Sequence, residues 1–138
     1  MMKPLFLGGL AALVLLVGCQ APGEEPPVPG NSTPAAEYHK ITPEEAKEKM
    51  DAGDVVVVDV RTQEEYDEGH IKDAVLVPNE SIGGTMPEAL PDTDATLLVY
   101  CRSGRRSKEA SDKLLALGYR NVYDFGGMID WPYDVVKE

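Results

Sequence analysis

Sulfur and imidazole are scarce in this chain of 138 residues: it has two cysteines, Cys19 and Cys101, and two histidines, His39 and His70. Two cysteines allow at most one disulfide. If Cys19 is consumed by lipid, as argued below, Cys101 is a single thiol with no intramolecular partner. Two histidines and one available cysteine at unrelated spacings do not make a zinc site, and nothing in the sequence calls for a cofactor. Positive charge is also in short supply, with 13 Lys and Arg against 24 Asp and Glu and a net charge of -11. Such a chain has no general attraction for nucleic acid or for an anionic membrane surface. No internal repeat and no heptad pattern is visible. The length suits one domain, the apolar fraction of 43% can supply a packed core, and a monomer is the expectation.

The long apolar run lies at the start. Lys3 precedes Leu5 to Val17, which is interrupted only by Gly8 and Gly9. The run is shorter than the roughly 20 residues that span a bilayer, and it suits the core of a signal peptide. It ends Leu16-Val17-Gly18-Cys19, which resembles the lipobox of bacterial lipoproteins. The resemblance implies a signal peptide over 1–18 and acylation of Cys19, whose two or more chains would give a stable anchor. The domain would then face outside the cytoplasm at the cell envelope, in the periplasm if there are two membranes. Gln20, which is not Asp, implies outer-membrane sorting in that case. Residues 19–37 continue as QAPGEEPPVPGNSTPAAE after the cysteine, with Val28 as the one large apolar residue. This stretch reads as an extended tether.

The folded domain is expected over 38–138. Thr42-Pro43-Glu44-Glu45 has the pattern of a capping box with proline in the first turn, and predicts a helix to about Ala52 stopped by Gly53. Val55 to Val58 is a continuous β-branched run, as in a strand covered on both faces. Thr62 to Glu65 repeats the capping box and opens a short helix ending near Gly69. Strands are expected over 74–77, 95–100 and 122–125, and an amphipathic helix over 106–117 with Gly118 as its stop. Ser81 to Leu90 is ambiguous between a loop and a helical turn. Alternating strands and helices predict an α/β fold, a mostly parallel central sheet with helices on both faces.

Arg102, Arg105, Arg106 and Lys108 gather nearly a third of the 13 basic residues into one short segment. Helix starts normally favour acids, so basic residues there point to anion binding. Cys101 stands directly before this segment and directly after the buried strand. That places its thiol at the carboxyl end of a central strand, where open α/β sheets put their ligands. A loop turning into a helix N-terminus aims several backbone N–H groups inward, and Gly104 permits the tight turn. Helix dipole and arginines together favour the charged form of a thiol there, making Cys101 a candidate nucleophile.

Cys101-Arg102-Ser103-Gly104-Arg105-Arg106-Ser107 resembles the active-site loop of rhodanese domains. The resemblance extends to Asp59-Val60-Arg61, Glu65-Tyr66, Gly69-His70-Ile71, Ala74 and Pro78, and downstream to Gly126-Gly127 and Trp131. It implies a rhodanese-like fold and a sulfurtransferase mechanism. Cys101 would take the outer sulfur of a donor such as thiosulfate, hold it as a persulfide, and pass it to cyanide or a thiol acceptor in ping-pong fashion. The amides of 102–106 would hold the persulfide, with Arg102, Ser103, Gly104, Arg105 and Arg106 binding the donor and Arg106 ranked first among the arginines. Four residues separate Cys101 from Arg106, one fewer than in the related cysteine phosphatases, which favours sulfur over phosphoryl chemistry. The alternatives are a non-enzymatic envelope module and a persulfide or redox relay that binds a protein partner.

Asp59, Arg61 and His70 are expected to be structural, with Arg61 paired to Asp59 or Glu65 and His70 packing or capping a turn. His39 is expected at the surface. Met50, Met86 and Met128 read as core or loop fillers, and Trp131 as an anchor for the C-terminal segment.

Overall fold

The computed structural model of the chain describes residues 36–137. The expected signal peptide, Cys19 and almost all of the tether lie outside the described residues. Five strands and three α-helices follow in the order β1 (Glu37–Lys40), α1 (Pro43–Ala52), β2 (Val55–Asp59), α2 (Gln63–Glu68), β3 (Val75–Leu76), β4 (Thr96–Cys101), α3 (Arg105–Ala116) and β5 (Asn121–Gly127). The strands form one sheet of order β1-β5-β4-β2-β3, and every strand pair in it is parallel. β4 is the central strand.

Both expected capping boxes are formed. The Thr42 side chain accepts from the Glu45 amide and the Glu45 carboxylate from the Thr42 amide; Thr62 and Glu65 repeat the exchange. Each box satisfies backbone donors that the first helical turn leaves without partners. The central strands are covered on both faces, and successive residues alternate between two cores, as the pleat requires. Val58, Leu97, Val99, Cys101 and Val122 pack with Ala110 and Leu114 of α3. Val57, Leu98, Tyr100 and Phe125 pack on the other face with Ala46 and Met50 of α1, Tyr66 of α2 and Trp131. Helices therefore flank both faces, and the thiol-bearing side of β4 looks toward α3.

Several boundaries differ from the sequence expectation. β1 was not legible in the sequence: four residues, EYHK, pair only with β5 at the sheet edge, and the strand starts at Glu37, a residue assigned above to the tether. β3 shrinks to two residues, because it pairs only with Val58 and Asp59 at the end of β2. β4 continues through Cys101, and β5 through Gly126 and Gly127, beyond a register shift between Val99 and Cys101. The ambiguous segment 81–90 contains no α-helix; its first residue closes a 3₁₀ turn over Asn79–Ser81. Among the described residues no helix is long and apolar enough to cross a membrane.

Candidate active site

The site is built at the carboxyl end of β4, where the chain turns directly into α3. Cys101 is the last residue of the strand and pairs with Gly127 of β5. Gly104 stands before the first turn of α3 with φ +109°, a left-handed conformation that glycine adopts without steric cost. This turn brings the Gly104 amide back onto Cys101, where it donates to Sγ at 2.9 Å. The sulfur thus sits against a backbone N–H at the positive end of a 12-residue helix, a placement that stabilises negative charge. Cys101 itself is 0% exposed and packs in the core on the α3 side of the sheet.

Two devices hold the loop from below. Ser107 Oγ donates to Asp124 Oδ1 at 2.7 Å, and the Gly126 amide donates to the same oxygen at 2.9 Å. Tyr38 hydroxyl donates to Asp124 Oδ2 at 2.7 Å. Asp124 is buried and accepts three hydrogen bonds, as a buried carboxylate must to avoid a desolvation penalty. Gly127 supplies the second device. A Cβ there would collide with the backbone of Arg102 and Ser103, so only glycine lets β5 pass this close to the loop. The sequence reading missed the role of Asp124; the available signal was a lone acid inside an apolar strand, Val122 to Phe125.

The three loop arginines part company. Arg106 donates from its two terminal nitrogens to both oxygens of Glu65 at 2.8 and 3.0 Å. This hydrogen bond, first among the causes, holds the Glu65 carboxyl down to about 2, and it raises the pKa of Arg106 in return. Arg105 runs along the helix surface to Glu109 at 2.9 Å and is highly exposed. Arg102 lines a concavity of about 340 Å³ beside the loop, shared with Arg61, Glu65, Glu68, Met128 and Ile129. Another concavity, of about 500 Å³, is larger but contains no loop residue; it lies by Met50, Ile71 and Trp131. The smaller one adjoins the thiol loop, and we take it as the mouth of the site.

The remaining polar residues singled out in the sequence are paired or packed. Of the two partners open to Arg61, Asp59 is the one taken, with nitrogen–oxygen distances of 2.7 to 3.1 Å, and Arg61 also donates to the Gly69 carbonyl at 2.8 Å. Burial lowers the pKa of this guanidinium, but the Asp59 hydrogen bond and charge outweigh it and raise it. Tyr100 hydroxyl donates to Asp59 Oδ2 at 2.6 Å and accepts the Ile71 amide at 3.1 Å. His70 is buried, stacks on Tyr66 at 3.7 Å and has Nδ1 2.9 Å from the Tyr66 carbonyl oxygen. Trp131 packs on Phe125 with ring centroids 5.5 Å apart.

A nucleophile-bearing loop of this shape, on a five-stranded parallel sheet, can be set against known proteins. The family model for the rhodanese-like domain matches residues 42–132. The chain belongs to the rhodanese-like family. It is 35% identical over 80 residues to thiosulfate sulfurtransferase PspE of Escherichia coli, covering 58% of this chain and 77% of that protein. It is 31% identical over 103 residues to the tRNA uridine(34) hydroxylase of Yersinia pestis, covering 71% of this chain but only 29% of the hydroxylase. Among solved structures, a rhodanese with anions from E. coli superposes with a TM-score of 0.55 at 34% identity, over 60% of this chain and 98% of that one. A rhodanese-like domain protein from Staphylococcus aureus gives 0.61 at 32% identity, over 72% and 98%. Sulfurtransferase chemistry is accordingly supported at the level of the family, and the rhodanese-like domain also occurs within an enzyme of another name.

Proposed function

We propose that this rhodanese-like domain is a sulfurtransferase that moves a sulfane sulfur from a small anionic donor such as thiosulfate, through a persulfide on Cys101, to cyanide or a thiol. The observation that carries this reading is the Cys101 sulfur held by the Gly104 amide at the start of α3. In the first half-reaction the Cys101 thiolate attacks the outer sulfur of thiosulfate, the donor's S–S bond breaks, and sulfite leaves with the bonding pair. In the second, the acceptor attacks the outer sulfur of the persulfide and Cys101 returns to a thiolate. The Gly104 amide that meets the sulfur stabilises negative charge on the thiolate and on the persulfide alike. Because Cys101 is covered, transfer requires a local opening of the loop or mouth, which restricts the site to small or slender reactants.

The deciding experiment treats the purified protein with thiosulfate and weighs it intact, then adds cyanide. One sulfur atom gained on Cys101 and lost to cyanide is the expected result, with Cys101→Ser inert in both steps. A wild type that gains no sulfur would leave a binding module. A persulfide that forms but resists cyanide would leave a relay serving a protein thiol.

We further propose that the domain is anchored at the cell envelope through acylated Cys19. The supporting features are the apolar run before Cys19 and the proline-rich stretch after it. Metabolic labelling with a fatty-acid probe should mark the wild type and not Cys19→Ala, and an unlabelled wild type would end this proposal.

A further inference from the structure

One of the three loop arginines is already engaged. Arg106 and Glu65 form a bidentate pair, with side chains only 18% and 24% exposed. A fork of this kind occupies the planar edge with which guanidinium would otherwise grip an anion. Glu65 is held in place from its other side as well. Its Oε2 also accepts the Thr62 amide at 3.0 Å and the Thr62 hydroxyl at 3.1 Å, so it cannot swing away without uncapping α2. Glu65 lines the concavity beside the thiol loop and carries the Arg106 fork to its edge. Of the cations at the mouth, Arg61 is spent on Asp59, and Arg102 alone has no side-chain partner among the described residues. Glu65 and Glu68 face the same space. An incoming donor therefore meets one unpaired cation, Arg102, the carboxylate of Glu68, and a Glu65–Arg106 pair whose charges cancel.

Resting on the sulfurtransferase reading above, we infer that Glu65 is a specificity-determining residue: by keeping Arg106 as half of a neutral pair, it makes the site discriminate against doubly charged sulfur donors and favour singly charged ones. The favoured class is the organic thiosulfonate, R–SO₂–S⁻, or another monoanion carrying a sulfane sulfur. The step balances without any further reagent. The Cys101 thiolate bonds to the terminal sulfur, the bond from that sulfur to the sulfonyl group breaks, and the sulfinate R–SO₂⁻ leaves with the pair. Two negative charges enter and two remain, one on the persulfide and one on the sulfinate. With thiosulfate the same step carries three, and all must be accommodated at the same mouth.

The test compares kcat/KM for methanethiosulfonate and for thiosulfate, with cyanide as the common acceptor, in the full chain and three variants. Glu65→Gln keeps the capping box, since glutamine serves at that position, but frees the Arg106 charge. Its ratio of monoanion to dianion efficiency should fall about tenfold, the scale of one charge acting on one further charge across a few ångströms of partly solvated space. Arg106→Gln should move the ratio by a similar factor in the opposite direction. The double variant removes a neutral unit and should return to within about twofold of the wild type. If the double variant instead follows Arg106→Gln, and Glu65→Gln alone leaves the ratio unmoved, Arg106 grips the donor on its own and the inference falls. Should the Glu65 variants fail to fold, the wild type decides: added salt must raise thiosulfate efficiency relative to methanethiosulfonate, because screening relieves the larger repulsion. A relative fall would overturn the inference. A wild type that takes sulfur from neither donor refutes the sulfurtransferase reading itself, and the inference with it; transfer from both with an unmoved ratio refutes the inference alone.

Discussion

Two helices in this molecule begin in the same way and end up with different work. α1 and α2 each open with a threonine whose hydroxyl accepts from a glutamate three residues on, and whose amide donates back to it. At α1 the glutamate is Glu45, which is exposed, and its side chain bonds only the Thr42 amide among the described residues. At α2 the glutamate is Glu65, and it also reaches Arg106 on the loop that follows β4. Local chemistry is the same in both places. What differs is the strand from which each helix departs: α1 follows the edge strand, whereas α2 follows β2, the neighbour of β4 in the sheet. A capping motif fixes where a helix starts; its place in the sheet decides whether the capping acid joins the site.

The largest effect should come from breaking the loop on which the comparison depends. Gly127→Ala drives a methyl into the Arg102 and Ser103 backbone, whereas a Cβ at Gly84 meets nothing within 4 Å. Gly127→Ala should cost about 3 kcal/mol, the upper end for overpacking, because backbone rather than a pliable side chain must give way. Gly84→Ala should stay within about 0.5 kcal/mol. Urea midpoints of the two variants check this, and equal midpoints would mean that the loop yields to β5 more easily than the geometry requires.

Next in size is the direct contrast of the two acids. Glu45→Ala loses half a capping box, expected to cost under about 1 kcal/mol. Glu65→Ala loses the same and leaves a largely buried guanidinium unpaired, so about 2 kcal/mol is expected. The contrast should depend on pH in a definite direction. The Glu65 carboxyl is depressed in the folded protein from its ordinary 4.5 to about 2. Its contribution is therefore fully present above about 4.5 and fades as pH falls toward 2, because the unfolded chain takes up the proton first. Thermal midpoints of the wild type and Glu65→Gln should converge across that window, and a constant gap would show that the pair does not stabilise through its charge.

Much of this arrangement was legible before any coordinates. Both capping boxes, the buried valine run and the Cys101–Ser107 loop are patterns of neighbouring residues, and local patterns survive folding intact. Partnerships across the sheet were less legible. Arg61 had two candidate acids, and the choice of Asp59 depends on the bend after β2, which no spacing rule supplies. Glu65 to Arg106 spans two strands and a loop, so only the parallel order of β2 beside β4 brings them together. β1 escaped notice because EYHK has too little apolar content to signal a strand; its pairing is provided by β5. Asp124 was hidden for the opposite reason, since its three donors come from β1, α3 and its own strand.

The smallest effect belongs to the arginine beside the one that matters most. Arg105 and Arg106 are adjacent in sequence and equal in charge, yet on a helix adjacent residues point about 100° apart. Arg106 turns inward to Glu65, while Arg105 turns outward and settles on Glu109 one helical turn along, with 75% of its side chain exposed. An exposed pair of this kind contributes about 0.3 to 0.5 kcal/mol and is screened by salt. Glu109, the partner of Arg105, does not line the mouth, whereas Glu65, the partner of Arg106, does. Arg105→Gln should therefore change kcat/KM for thiosulfate by less than about threefold at low salt, with the difference vanishing near 0.5 M salt as the screening length drops to about 4 Å. A loss comparable to that of Arg106→Gln, persisting in salt, would mean that Arg105 leaves Glu109 to meet the donor, and the division of labour between the two arginines would have to be redrawn.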